Sequence, residues 1–594
     1  MAKVLATPGV YIEEKSAFPN SAVPVATAVP AFIGYTEKAI RNKKDLKNKP
    51  TRISSFGEYL LYFGEGPKTR YTINDVTATD PNRIYELETV TSTRYMLFNS
   101  IKLFFANGGS NCYIVSIGSY KDAAKLSDFE GMEEVEIAPP AAAAAGGAAA
   151  GGGSGASGAA DGGAGGGDSG GGAASGGTEA EKPKEIRLKG ITTLLQEPEP
   201  TMLVIPDAVL LDEQSCASLQ QKMLMHCEKM ASRFAILDVY MDENSKIAPD
   251  TRSIVSNFRT NIQNNALQWG AAYYPWLHTN ISGAETVDFT NIDPGAEAAA
   301  PAAPAAPAAP AAPAAPAAPA ATLNISSPDT GPYGTLKDLL KKEVKNSFDE
   351  KELPEARALA IVTEINKIKS GLGEADIKSL HQTLMAISPL YKAIMTSVLE
   401  KINLLPPSGG MAGIYSMVDN LVGVFQSPAN VSIGSVVRPS VYLTNEEQED
   451  LNVPLNGKAV NAIRTFPGKG VLVWGARTLN GNSQDWRYVS VRRTVIFIEQ
   501  SIKYAAEPYV FAPNTSLTWT NVNAMITNFL TNVWQSGALA GATPADAFSV
   551  DVGLGTTMTP VDILDGIMRI TVKIAVTRPA EFIVITFQQK MQQS

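Results

Sequence analysis

Clustered apolar positions predict an α/β region in the middle of the chain. Residues 201–205 (TMLVI) and 234–239 (FAILDV) are short apolar runs that predict buried strands, and residues 269–276 are aromatic and strand-like. Two helical stretches separate them, the first with an apolar stripe at three- and four-residue spacing. Strand and helix in alternation predict a parallel sheet covered on both faces. The stripe consists of Cys216, Leu219, Met223, Cys227 and Met230.

Further along the chain the pattern becomes mostly helical. Residues 335–399 contain two apolar stripes, one opened by Pro354 and the other broken near Pro389, which predicts a small helical insertion. In the final third, short strands accompany a strongly amphipathic helix at residues 521–536. Its apolar face carries Val522, Met525, Ile526, Phe529, Leu530, Val533 and Trp534.

Both ends of the chain predict extended segments without a nearby partner. Residues 4–14 are short and interrupted by proline, with no complementary strand close in sequence. Residues 570–576 alternate between apolar and polar, which predicts a half-buried strand, whereas residues 581–587 are apolar on both faces. A terminal strand of that kind associates with other chains unless something pairs with it.

Two low-complexity tracts separate the patterned regions. Residues 138–180 are almost wholly Ala, Gly and Ser, which predicts a flexible coil, and residues 298–321 place proline at every third position, which predicts an extended spacer. The chain is therefore divided into an N-terminal arm, a first core part, a flexible insertion, an α/β domain, a proline spacer, a helical insertion, a C-terminal domain and a C-terminal arm. The predicted bounds are 1–20, 21–137, 138–183, 184–297, 298–322, 323–405, 406–577 and 578–594.

Composition narrows the class of protein. The 594 residues are 44% hydrophobic and 18% charged, which suits a folded core, and the net charge of -9 opposes binding to a nucleic-acid backbone. Three cysteines are too few for a disulfide framework, which indicates folding in a reducing compartment. The N-terminal stretch lacks the apolar core of a signal peptide, and no apolar run is long enough to span a membrane. We expect folding in the cytoplasm, no nucleic-acid partner and no membrane insertion.

Candidate chemistry is sparse. The three histidines and three cysteines lack zinc-site spacing, and no phosphate-binding glycine loop occurs, so we predict no enzyme activity, no metal and no cofactor. One enzyme alternative stays open, a Mg²⁺-dependent α/β hydrolase, because Asp207, Asp238 and Asp242 follow predicted strands. The same aspartates could equally belong to turns and helix caps.

Two runs of charge have opposite sign. Residues 41–52 (RNKKDLKNKPTR) are basic and residues 446–450 (EEQED) are acidic. Each is typical of a solvated loop, but in a protein that self-assembles the two could meet across subunits.

Several motifs resemble one known family. TPGVYIEE at residues 7–14 and KLFFANGGSNCYIV at residues 102–115 are similar to contractile tail sheath proteins. The resemblance covers residues 1–120, 200–295 and 406–594, and points to sheaths of phage-tail-like extracellular contractile injection systems of the antifeeding-prophage type. The more specific motifs lie in the C-terminal third: GMAGIY at 410–415, NEEQEDLNV at 445–453, LVWGARTL at 472–479, DWRYVSVRRT at 485–494 and RPAEFIVITFQ at 578–588.

The resemblance implies a structural subunit that polymerises helically around an inner tube and contracts from a metastable extended state to drive the tube through a target envelope. It implies an α/β multidomain fold with a mixed or parallel sheet, flanking helices, a helical surface insertion and terminal strand arms. The implied partners are other copies, the tube protein, and baseplate and terminal cap proteins. The particle would be assembled in the bacterial cytoplasm and then released or membrane-anchored. A non-contractile self-assembling coat protein is the remaining alternative.

Site residues also follow from the resemblance. Arms of this family pair with strands of neighbouring subunits, and the C-terminal domain faces the tube, with the helix at 521–536 as a candidate contact that could equally be packed in the core. The predicted arm residues are Val4, Val10, Tyr11, Ile12 and Glu13 at one end and Phe582, Ile583, Val584, Ile585 and Phe587 at the other. The predicted tube contacts are Asn521, Asn528, Asn532 and Gln535.

Overall fold

A computed structural model describes residues 22–80, 83–136, 184–245, 250–295, 329 and 331–585. The strands are β1 (Pro30–Thr36), β2 (Ile40–Arg41), β3 (Lys44–Asp45), β4 (Thr51–Ile53), β5 (Tyr71–Asp75), β6 (Tyr85–Thr89), β7 (Cys112–Ser119), β8 (Glu130–Glu136), β9 (Lys184–Gly190), β10 (Met202–Val204), β11 (Phe234–Asp238), β12 (Gly270–Tyr274), β13 (Leu277–Thr279), β14 (Leu404–Leu405), β15 (Val431–Ser432), β16 (Val436–Pro439), β17 (Val460–Phe466), β18 (Gly470–Val473), β19 (Phe548–Val552) and β20 (Ile570–Ile574). The α-helices are α1 (Phe56–Phe63), α2 (Leu97–Ala106), α3 (Glu213–Met230), α4 (Thr251–Asn261), α5 (Gly334–Asp349), α6 (Glu355–Asn366), α7 (Glu374–Ile387), α8 (Pro389–Ile402), α9 (Ser408–Leu421), α10 (Asn445–Asn452), α11 (Val489–Ala506), α12 (Ser516–Gln535), α13 (Pro544–Ala547) and α14 (Pro560–Leu564).

A nine-stranded mixed sheet has the order β15–β18–β17–β12–β11–β10–β1–β7–β4. The strands from β17 to β7 run parallel. At one edge β18 pairs antiparallel with β17 and β15 pairs antiparallel with β18, and at the other edge β4 pairs antiparallel with β7. Parallel strands need cover on both faces. Successive side chains point to opposite faces, and both faces are packed: Leu203 and Leu237 belong to one hydrophobic cluster, and Val204 and Ile236 belong to another. The predicted α/β class is confirmed.

The strand–helix–strand unit predicted in the middle of the chain is confirmed. β10, β11 and β12 are adjacent and parallel. The helix α3 begins after Asp212, whose carboxylate accepts a hydrogen bond from the Ser215 backbone N–H at 3.0 Å. Its predicted stripe faces the core, and Cys216 and Cys227 are buried free thiols.

The strands of the central sheet come from three distant parts of the chain. β1, β4 and β7 precede the Gly/Ala/Ser tract, β10 to β12 lie between the two tracts, and β15, β17 and β18 follow the helical insertion. Long-range pairing therefore joins all three parts in one sheet. The division into eight segments stays a prediction.

The helical insertion is confirmed as α5 to α8, and its core is shared with other parts of the chain. Leu340 of α5 and Leu384 of α7 are fully buried in a cluster that also contains Tyr71 of β5 and Ile292. The β5–β6 hairpin thus completes the core of the insertion. At the predicted break, Ser388 caps α8 by accepting a hydrogen bond from the Tyr391 N–H at 3.0 Å.

Candidate assembly interface

The C-terminal end of the chain leaves the fold through a small two-stranded sheet. β20 pairs antiparallel with β19, from Phe548 opposite Ile574 to Val552 opposite Ile570. The predicted alternation of residues 570–576 is confirmed over β20, where Ile570 and Ile574 are half-buried and Lys573 is exposed. In the described part of the chain no third strand joins this sheet, although Leu539 forms an antiparallel bridge with Val576 just beyond β20 and the Asn523 side chain donates to the Val550 carbonyl at 2.8 Å.

An ion pair fixes the point at which the chain leaves this domain. The Glu581 carboxylate accepts hydrogen bonds from Arg477, with Nη2–Oε2 2.6 Å and Nε–Oε1 3.0 Å, from Asn452 Nδ2 at 2.7 Å and from the Tyr488 hydroxyl at 3.1 Å. The Arg477 side chain is only 3% exposed. Burial opposes the charge of Glu581, but the bonds from Arg477 and Asn452 outweigh burial, and the pKa of Glu581 lies below its usual value.

Directly after this anchor, four consecutive apolar side chains point into solvent. Phe582, Ile583, Val584 and Ile585 are 70%, 79%, 88% and 70% exposed. The last described residues, 578–585, form neither helix nor strand. Exposure of such a continuous apolar run to water is unfavourable, and a partner that covered it would gain free energy in proportion to the apolar area buried. Phe587 lies outside the described residues.

The N-terminal chain enters the fold at the same domain. The predicted arm residues Val4, Val10, Tyr11, Ile12 and Glu13 lie outside the described residues. The first described residue, Ala22, is 5% exposed and packs in a cluster with Phe529 of α12, against which Ile570 and Ile574 of β20 also pack. The first described residue and β20 therefore pack on one hydrophobic cluster.

Helix α12 has an apolar face and a polar face. Val522, Phe529 and Leu530 are buried in the cluster just described. The predicted tube contacts Asn521, Asn528, Asn532 and Gln535 are all exposed on the other face. Core packing and an outward polar face thus coexist in one helix, and the role of the polar face stays a prediction.

A second exposed apolar patch was not predicted from the sequence. Phe511 is fully exposed and has a φ of +66°, which is unusual for a bulky residue. Leu517 and Leu564 are 70% and 85% exposed. The Asn514 side chain donates a hydrogen bond to the Ile567 carbonyl at 3.2 Å, which holds the two loops of this patch together. Phe511 lies in a loop, and Leu517 and Leu564 lie at the ends of α12 and α14. Single apolar residues at such positions carry no periodic signal, so only exposure in the fold reveals them.

The aspartates of the enzyme alternative are structural. Asp207 is fully buried and accepts backbone hydrogen bonds from Tyr35, Met96 and Leu97 at 2.8, 2.7 and 3.0 Å. Burial raises its pKa to about 6 although these bonds lower it. The donors from Met96 and Leu97 belong to the first turn of α2, so this carboxylate ties that helix to β1.

Asp238 has a comparable role at the start of α9. It is 3% exposed and accepts the Ser408 backbone N–H at 2.8 Å, and burial raises its pKa to about 7. Asp242 is exposed and accepts a hydrogen bond from the Asn244 N–H at 2.9 Å, as turn aspartates do. Among the described residues no group of three His, Cys, Asp or Glu side chains is placed to hold a metal. The bonding of these three aspartates therefore gives no support to the hydrolase alternative.

None of the described helices combines the length and the hydropathy that a membrane-spanning helix requires.

Comparison with known proteins assigns the region that carries this interface. Residues 482–590 match the phage tail sheath C-terminal domain. This likeness covers less than a fifth of the chain. The matched region includes α11, α12, β19, β20 and the exposed segment at 582–585. The recognition of a tail sheath protein from sequence motifs is confirmed.

Relatives and solved structures extend this result to the fold. The tail sheath protein of Burkholderia phage BcepMu is 28% identical over 141 residues, and that of Vibrio phage KVP40 is 22% identical over 173 residues. These matches cover 23% and 29% of this chain, and the chain spans only 29% and 25% of the two relatives.

Two solved sheath structures are similar over almost the whole chain. The contracted sheath complex of the extracellular contractile injection system PVC has a TM-score of 0.52 at 22% identity, covering 99% of both chains. The contracted helical sheath of the anti-feeding prophage has a TM-score of 0.51 at 23% identity, covering 99% of this chain and 100% of the other. At this level of identity the likeness establishes a shared sheath fold.

Proposed function

We propose that this chain is the sheath subunit of a contractile, phage-tail-like injection particle. It polymerises helically around an inner tube and shortens from a metastable extended lattice, which drives the tube through a target envelope. One observation carries the proposal: residues 582–585 hold four apolar side chains in solvent, directly after Glu581 fixes where they leave the fold. The matched sheath domain supports it.

The arms are the links of the lattice. An added strand satisfies exposed backbone groups at a sheet edge, and alternate side chains set its register. The β19–β20 sheet suits this role because two strands alone are marginally stable in water. Residues 582–587 of one copy and the N-terminal arm around Val10, Tyr11 and Ile12 of another would extend such a sheet. Ala22 and β20 pack on the same hydrophobic cluster, so strain from either arm would be transmitted to that cluster.

Contraction needs no nucleotide in this scheme. A conformational bias of about a few kcal/mol per subunit, summed over many copies, supplies the work, since cooperative arrays add small differences. The polar face of α12, with Asn521, Asn528, Asn532 and Gln535, would contact the tube. Baseplate and terminal cap proteins would hold the two ends of a particle that is assembled in the bacterial cytoplasm and released or anchored afterwards.

The experiment compares full-length chains co-expressed with the tube protein, by negative-stain microscopy and sedimentation. The test variant carries F582S, I583S, V584S and I585S, and a second variant lacks residues 1–14. The control carries L61S and L359S, two side chains that are 65% and 52% exposed outside the sheath domain. We expect wild type and control to form tubes of two lengths and diameters, and both arm variants to remain folded monomers.

Three results would count against the proposal. Arm variants that form normal tubes would remove the arms from the mechanism. Sheets or tubes of one length, unaffected by loss of either arm, would indicate a non-contractile coat. Wild-type chains that remain monomeric beside the tube protein would exclude a sheath.

A further inference from the structure

A basic hairpin projects from one side of the central sheet. β2 and β3 are joined by Asn42 and Lys43, which both have positive φ (50° and 64°), as a two-residue hairpin turn requires. Backbone hydrogen bonds from Leu46 to Ala39 and from Asn48 to Ser116, both 2.8 Å, hold the hairpin against the fold. Six cations are exposed over residues 41–52: Arg41, Lys43, Lys44, Lys47, Lys49 and Arg52.

The positive charges at the tip of this hairpin are not neutralised by described acidic residues. The ammonium groups of Lys43 and Lys44 make no ion pair or hydrogen bond to any described residue. The nearby Asp45 carboxylate accepts the Lys47 backbone N–H at 2.9 Å instead. In a chain of net charge -9, this cluster is a local excess of positive charge.

An acidic helix lies near the other end of the sheet. α10 starts with a capping box, in which Thr444 and Glu447 exchange hydrogen bonds, and the buried Leu451 holds the helix on the core. Glu446 and Glu449 are exposed and form no ion pair with described residues. Asp450 pairs with Arg259 at 2.7 Å and is still 55% exposed.

The sheet holds the two charged surfaces apart. The hairpin leads into β4, the edge strand at one end, whereas α10 packs on β17 beside the opposite edge formed by β18 and β15. The side chains of Arg464 on β17 and Gln448 on α10 are hydrogen-bonded. Since the two surfaces lie at opposite ends of a nine-stranded sheet, they cannot meet within one chain.

We propose that the basic hairpin of one copy binds the acidic helix α10 of the next copy, in a head-to-tail contact. A heterologous contact of this kind repeats without closing on itself and extends an array. The acidic surface also adjoins the arm: Asn452, the last residue of α10, donates to Glu581, and Phe582 lines the same open groove as Glu446 and Glu449. The contact rests on the proposed self-assembly and adds a salt-sensitive interface to the strand links.

Charge swapping tests the contact in the full-length protein. Variant one is K43E/K44E, variant two is E446K/E449K, and the control K378E/K392E makes the same charge change as variant one on exposed lysines of the insertion. Alone, variants one and two should associate at least about tenfold more weakly than wild type, because like charges then face each other. Mixed in equal amounts they should co-assemble, since each restores the charge that the other lacks.

Two further measurements define the contact. Raising NaCl from about 0.1 M to about 1 M shortens the Debye length from about 10 Å to about 3 Å, which should weaken wild-type association more than that of variant one. Carbodiimide treatment of mixed isotope-labelled copies should join Lys43 or Lys44 of one copy to Glu446 or Glu449 of another.

The outcomes separate this contact from the proposed function. Normal assembly of both single variants, with no such cross-link, overturns the contact and leaves the sheath function standing. Failure of wild type to assemble overturns both. If K43E/K44E assembles normally but loses binding to duplex DNA, the hairpin is a polyanion site and the contact is overturned.

Discussion

Arg477 and Glu581 form an ion pair with two contacts, which ties the C-terminal segment to the loop that follows β18. Its shortest contact is 2.6 Å, between Nη2 and Oε2, and Asn452 and Tyr488 bond the same carboxylate. The arginine is almost fully buried and the glutamate side chain is 21% exposed. This pair fixes the position at which the exposed segment 582–585 begins.

Removal of this anchor should destabilise the subunit. Glu581→Ala leaves the buried Arg477 guanidinium without its carboxylate, and we expect the free energy of unfolding to fall by about 1–3 kcal/mol. Urea denaturation measures it. The control is Asp551→Ala, which breaks a longer and more exposed pair with Lys573 (3.7 Å, the lysine 73% and the aspartate 37% exposed) and should change stability by at most about 1 kcal/mol. Equal losses in the two variants would contradict an anchoring role.

The buried aspartates should give the protein a distinctive pH dependence. The folded pKa values of Asp207 and Asp238, about 6 and about 7, exceed the unfolded value of about 3.9, so the folded state binds protons more tightly between these limits. Their contribution to stability is complete below about pH 4 and is lost as pH rises through the folded pKa.

Asp207→Asn tests that sign. The amide presents N–H where a carboxylate oxygen accepted a backbone donor, so we expect destabilisation of about 1–3 kcal/mol near the acidic end. The stability difference from wild type should shrink between about pH 4 and about pH 6.5, because the folded and unfolded states differ in proton binding at Asp207 only over this range. Urea unfolding across this range provides the measurement, and a difference that widens with pH would contradict the assignment.

The two faces of α12 should respond oppositely to mutation. Phe529 is 1% exposed, and Phe529→Ala should cost about 3–5 kcal/mol of stability through the cavity it leaves. Asn532→Ala, on the exposed face, should alter stability by at most about 0.5 kcal/mol. If this face contacts the tube, N532A should still weaken co-sedimentation with the tube protein. Unchanged tube binding by a combined N521A/N532A variant would remove α12 from that contact.

Deletion of the helical insertion should expose apolar side chains in the rest of the protein and make it less stable. Without residues 334–402, Tyr71, Ile73 and Phe289 lose the helices that bury them. We expect the deleted chain to bind a hydrophobic dye and to aggregate, because this exposes a contiguous apolar patch. A deletion variant that also carries Y71S and I73S should bind less dye. A simple deletion as soluble and as thermally stable as wild type would contradict the shared core.

Local patterns predict much of this fold. The apolar runs at β10 and β11 and the stripe through Cys216 and Cys227 specify strands and a helix, since burial on one or both faces imposes a period. The alternation in β20 and the amphipathic face of α12 were predicted for the same reason. The tail sheath family was recognised from motifs in the C-terminal third.

Long-range pairing and surface exposure could not be predicted in this way. Nothing in the local sequence of β15 or β4 indicates that they close opposite edges of one sheet, because register between distant strands is decided by the assembled core. Similarly, Tyr71 gives no local sign that it packs beneath the insertion. Asp207 looks like a turn residue or a ligand in sequence, and only its three backbone donors identify its role.

The β8–β9 hairpin makes this subunit a practical scaffold for engineering. Glu136 and Lys184 are cross-strand partners in register, so the polypeptide that connects them departs and returns at neighbouring points. An inserted sequence of any length can therefore start and end at these neighbouring points, and the entropic cost of closing the loop grows only slowly with its length. An epitope, an enzyme or a fluorescent reporter grafted at this junction would be displayed once per copy along the proposed particle.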